Sequence, residues 1–141
     1  MMKKLLLIIV VLTAAYFSEI ESRLLPAPQV DVITNSSSTD HLLAAAYENN
    51  QSNLQVQGSG RVIRILPDDN DGNRHQRLII KLLSGQTLLL AHNIDLANRI
   101  ASINIGDDID FNGVYEWNAQ GGVIHWTHHD PQGSHAAGWV G

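Results

Sequence analysis

Four histidines and an aspartate fall within the eleven residues His125-Trp126-Thr127-His128-His129-Asp130-Pro131-Gln132-Gly133-Ser134-His135, and His75 and His92 precede them. Imidazole titrates near pH 6.5 (approximately) and offers a neutral nitrogen lone pair, so it suits both proton transfer and metal ligation. Strand alternation sends His125, Thr127 and His129 to one face and Trp126 and His128 to the other. A bend near Pro131 can bring His128, Asp130 and His135 back over either face. This pattern singles out His125, His128 and Asp130 as the strongest catalytic candidates, with His75 and His92 supplying the opposite wall. The same three residues are the candidate ligands for a divalent metal such as zinc, with Asp130 able to ligate or to orient an imidazole. Trp126, His129 and His135 are expected to contact ligand. Taken singly, each histidine is more commonly a surface residue or the partner of a backbone carbonyl. Their density is what argues for a shared site. No HExxH or other zinc signature occurs.

Charge and composition narrow the chemistry. The chain carries a formal net charge of −5 and no cysteine, so disulfides and thiolate metal sites are excluded. Net charge does not draw it to anionic polymers or lipids. Locally, Arg61, Arg64, Arg74, Arg77 and Lys81 lie close together in sequence, and Arg74 and Arg77 are the expected contacts to phosphate or carboxylate oxygens. A solvated strand face balanced by Asp68, Asp69 and Asp71 accounts for the same cluster equally well. The run Pro67–Asn73 (PDDNDGN) has Pro67 where a calcium loop wants its first acid and lacks the distal glutamate, so it reads as an acidic turn. No nucleophile elbow, P-loop or dinucleotide fingerprint is present.

The elements that must position these groups follow from periodicity. Met1-Met2-Lys3-Lys4 and the apolar run Leu5–Phe17 read as a signal peptide or an uncleaved N-terminal anchor over residues 1–23. The run is short for a membrane span, which needs about 20 apolar residues. Export to the periplasm or cell envelope is expected. Residues 24–53 read as a linker followed by a short flanking helix, capped by Asp40, with Leu42, Leu43, Ala46 and Tyr47 on one face. Residues 54–141 read as an all-β domain. Strands are expected over Gly58–Leu66, His75–Leu83, Thr87–His92, Ile109–Trp117 and from Val123 to about His128, with Ile63, Ile80, Phe111 and Tyr115 in the core. A short helix is expected near Asp95–Ile100. Three strands, a helix and two strands is the layout of a small five-stranded OB-like barrel.

Several of these segments are familiar. SGRVIRILPDDNDGNRHQRLIIKL, GQTLLLAHNIDLA, GDDIDFNGVYEWN and GGVIHWTHHDPQGSHAAGW resemble a bacterial family catalogued as a domain of unknown function, number 3465 in that series, over about residues 50–141. The resemblance implies an exported bacterial protein and carries no activity with it. Two functions fit the residues. One is metal-assisted hydrolysis of a phosphodiester-like anionic substrate, with histidines as ligands or as general acid and base. The other is a non-catalytic envelope module that binds a metal ion, an oligosaccharide or an oligonucleotide.

Overall fold

A computed structural model describes residues 36–141. The export segment expected over residues 1–23, and the linker as far as residue 35, lie outside the described residues. The described residues form one compact unit, which takes in the helix expected in the flanking region.

Helix α1 runs Ser36–Glu48, starting before the expected cap. Asp40 is therefore inside the helix and buried, and its carboxylate accepts the backbone N–H of Ser84 at 2.7 Å instead of capping α1. Leu43 and Ala46 are fully buried, while Leu42 and Tyr47 are exposed. The buried face is thus rotated from the expected one, because Asp40 finds its partner in the turn below. Asn50 closes the helix in the left-handed conformation (φ 53°), a role asparagine tolerates.

The strands are β1 (Leu54–Asp69), β2 (His75–Lys81), β3 (Thr87–Asn93), β4 (Asp108–Glu116), β5 (Val123–His125) and β6 (Trp139–Val140). They are hydrogen-bonded in the order β1-β2-β3-β5-β4, and a β1–β4 pairing closes these five into a ring. All neighbouring pairs are antiparallel except β3–β5. The first half of β1 pairs with β4 and the second half with β2. At the changeover, Gly58 and Gly60 have no side chain where Phe111 and Ile80 press in, at 3.0 and 3.2 Å from where a Cβ would sit.

The core is filled by Val62, Leu78, Ile80, Leu88, Leu90, Phe111, Tyr115 and Ile124, with Leu43 from α1. Ile80, Phe111 and Tyr115 are where the alternation puts them. Ile63 is not. Val62 continues the inward alternation of Val56 and Gly60, so Ile63 falls on the outer face and is only half-buried, and the register irregularity between Val62 and Arg64 follows it.

The helix expected between β3 and β4 does not form. Asn93 takes the N–H groups of Asp95 and Leu96 on its side chain, and the backbone closes a single turn through Ala97 N–H to Asn93 C=O at 3.2 Å. Asp95 is then held by Arg74. Residues 98–107 continue as turns that pack Ile100 and Ile103 against the core.

Candidate functional site

The histidine-rich stretch leaves the sheet and returns to it along a single strand edge. β5 pairs with β4 as far as Val114↔His125, and β6 resumes at Asn112↔Trp139. Residues 126–138 are therefore an excursion opposite one residue, Gly113. A Cβ on Gly113 would lie 2.4 Å from the His125 carbonyl oxygen and 2.9 Å from Thr127 Cγ2. Gly138 closes the neck from the other side, where a Cβ would meet the Trp126 and Asn112 carbonyl oxygens at 2.0 and 2.6 Å. Its N–H donates to the His128 carbonyl at 2.9 Å. β5 stops earlier than expected because Trp126 adopts φ 54°, an uncommon conformation for a bulky residue. This is also why the strict alternation expected for residues 125–129 breaks at Trp126.

That turn makes Trp126 the hub of the loop. Its ring stacks on His135 with centroids 3.9 Å apart, and it meets His128 at 5.5 Å and His125 at 6.1 Å in tilted contacts. His128 is buried and donates from Nδ1 to the His129 carbonyl at 2.8 Å, which leaves Nε2 as the lone-pair nitrogen of the neutral ring. Nε2 has no partner among the described residues. Nε2 of His125 is buried without a hydrogen bond, 3.6 Å from Glu116 Oε1. Burial pushes the His125 pKa down, with Glu116 opposing. Glu116 was not among the expected site residues. The signal for it was available, since Glu116 and Val114 share a strand face and Val114 is the register partner of His125.

Asp130 is buried and held by backbone groups of its own loop. One carboxylate oxygen accepts the N–H of Gln132 at 2.9 Å, and the other accepts those of Ser134 (2.6 Å) and His135 (2.9 Å). These bonds hold its pKa below the usual carboxylate range. The carboxylate orders the loop that carries His135, and its hydrogen bonds go to backbone N–H groups of that loop.

His92 is committed to structure as well. Its Nε2 lies 2.9 Å from the Asn98 carbonyl, which can only accept, so Nε2 carries the proton. Nδ1 then accepts from the Thr127 hydroxyl at 2.9 Å. A hydroxyl bonded to an unprotonated imidazole is the arrangement of an activated nucleophile. Thr127 and His92 are nevertheless both buried, so no substrate carbon can reach the oxygen. Burial also holds the His92 pKa below the ordinary histidine value, with the charges of His128 and His75 acting the same way.

The remaining candidates divide. His75 opens β2 and is near enough for its charge to act on His92 and His125. His129 is exposed. Arg74 is paired with Asp95 through Nε at 2.8 Å, and Arg77 donates to the Pro67 carbonyl at 2.9 Å, so both are engaged away from the Trp126 loop. Among the described residues, no group of three or more histidine, aspartate or glutamate side chains is arranged to hold a metal ion, and His125, His128 and Asp130 are not brought together as a ligand set. The acidic turn behaves as one, with Asp69 accepting the N–H of Asp71 and Asp68 paired with Arg99.

Residues 29–141 match the model of a family described as a protein of unknown function, DUF3465. The chain belongs to the DUF3465 family. The match begins ahead of α1, so the DUF3465 unit includes the helix as well as the strands, beyond the residues whose motifs carry the resemblance. No curated protein matches the chain.

Proposed function

We propose that this DUF3465 domain is an OB-like binding module of the bacterial cell envelope, exported by its N-terminal segment, that captures an oligosaccharide at the Trp126 loop without turning it over. One observation carries the reading. Two imidazole nitrogens, Nε2 of His125 and Nε2 of His128, are without hydrogen-bond partners beside a half-buried indole. The His125 nitrogen is buried, where an unpaired polar atom costs about 1–3 kcal/mol, while the His128 nitrogen is open to a ligand hydroxyl. A sugar ring offers both what an indole face takes, a C–H surface, and what the imidazoles lack, hydroxyl groups.

The other ligand classes fit less well. An oligonucleotide needs free cations, yet the described residues hold eleven acidic and six basic side chains. Of the six, Arg61, Arg74 and Arg99 are in ion pairs. Metal-assisted hydrolysis of a phosphodiester-like substrate loses support where Asp130, Arg74 and Arg77 are already occupied. OB-like is our description of the closed ring in which β1 meets both β2 and β4 while β3 meets β5.

The test makes Trp126 the sole tryptophan by Trp117→Phe and Trp139→Phe, then follows its fluorescence against neutral and amino-sugar oligosaccharides. We expect a saturable change, weakened at least tenfold by His128→Ala. No response to any glycan, together with release of nitrophenolate from bis(nitrophenyl) phosphate that His128→Ala abolishes, would replace this reading with the hydrolytic one.

A further inference from the structure

A groove of about 490 Å³ crosses the outer face of β1, away from the Trp126 loop, with Ser59 and Gly60 in its lining. Register sets Lys81 directly opposite Arg61, and Arg61 directly opposite Asp108. Like charges facing each other across strands repel. Arg61 resolves this by pairing with Asp108 through Nε at 3.0 Å, which leaves Lys81 without a partner among the described residues. Across the groove, Asp110 exchanges backbone hydrogen bonds with Gly141, and its carboxylate is likewise unpaired among the described residues. Just past β2, Leu83 is 84% exposed at the rim.

One face therefore carries a projecting apolar side chain, a groove, and a cation and an anion that have no partner among the described residues. A two-fold contact requires a surface that complements itself. We propose that this face joins two copies of the chain. Leu83 of each copy seats against Ser59, Gly60 and Ile63 of the other, and Lys81 of each faces Asp110 of the other. The opposite signs of the two unpaired groups choose a second copy over a partner of uniform charge. Burying Leu83 removes the most exposed large apolar side chain among the described residues from water.

The experiment co-expresses two differently tagged copies of the full chain and measures how much of one purifies with the other. The wild-type copies should copurify. Leu83→Asp, at a site too exposed to disturb the fold, should reduce recovery at least fivefold, as should Lys81→Asp alone or Asp110→Lys alone. Lys81→Asp and Asp110→Lys combined in each copy should restore it, because the swapped charges again face each other. Absence of copurification, recovery untouched by Leu83→Asp and the single reversals, or failure of the double reversal to restore it would each overturn the proposal.

Discussion

The carboxylate of Asp130 accepts three backbone N–H groups of its own loop, and such bonds are strengthened by charge only while the group is ionised. Its folded pKa is held below the ordinary value of about 3.9. The stability it contributes is therefore present above that value and lost as pH falls through the folded pKa. Asp130→Asn should mimic the loss at neutral pH, visible as a weakened near-ultraviolet signal from the Trp126–His135 stack. His92 and His125 act in a higher window. Both are depressed below the ordinary histidine value of about 6.5, chiefly by burial. A depressed histidine favours the folded state above about pH 6.5, and that contribution is lost as pH falls toward the folded pKa. Urea midpoints measured from pH 8 to pH 5 should accordingly fall across the lower half of that range. Thr127→Val removes the donor to His92 Nδ1 and leaves a buried acceptor unpaired, so it should destabilise by about 1–3 kcal/mol in the same assay.

Thirteen residues, 126–138, leave the β4 edge opposite Gly113 and rejoin it after Gly138, so these two glycines set the neck of the excursion. Gly113→Ala or Gly138→Ala would drive a methyl group into backbone carbonyls. Each should destabilise by about 1–3 kcal/mol or more in a urea melt, the usual range for overpacking. Gly72→Ala, where a Cβ meets nothing within 4 Å but φ is +73°, separates steric crowding from backbone strain. The neck is also where sequence reasoning ran out. β2, β3 and β4 were legible because Leu78, Ile80, Leu88, Leu90, Ile109 and Phe111 alternate with outward residues. Trp126 carries no local mark of a left-handed backbone, and β6 is two residues long, too short to show a period. The helix expected after β3 failed because Asn93 and Asp95 have better uses for their side chains than a helix gives them. The histidines themselves were legible, while their gathering around Trp126 was not, because it follows from the left-handed backbone at that residue. The occupation of Asp130 by backbone N–H groups, and of His92 by the Asn98 carbonyl and the Thr127 hydroxyl, was not legible either, because a sequence does not show which polar atoms are already satisfied.

Leu43 and Ala46 of α1 are fully buried in the same cluster as the strand residues, and Asp40 holds the β2–β3 turn. Residues 34–141 should therefore give a cooperative melt with a β-type circular dichroism spectrum. A fragment starting at residue 54 should melt much lower. Leu43→Ala should cost about 2–5 kcal/mol, as truncation of a buried leucine does. The all-β class and the five strand runs were legible from alternation, while the share of the core supplied by α1 was not, because the helix turns Asp40 inward and exposes Leu42. The seam that closes the ring is its shortest ladder: β3 and β5 meet through only Leu89↔Val123 and Leu90↔Ile124, with Leu89 N–H also reaching the Gly122 carbonyl at 3.0 Å. Opening there leaves β3 on β2 and β5 on β4, so a small local fluctuation turns a sheet without an edge at that point into one that offers the apolar edge of Thr87–Asn93 to other chains. The amide protons of Leu89 and Leu90 should then exchange with solvent sooner than those of β1 and β4, and the concentration at which the domain begins to form aggregates should be set by that seam.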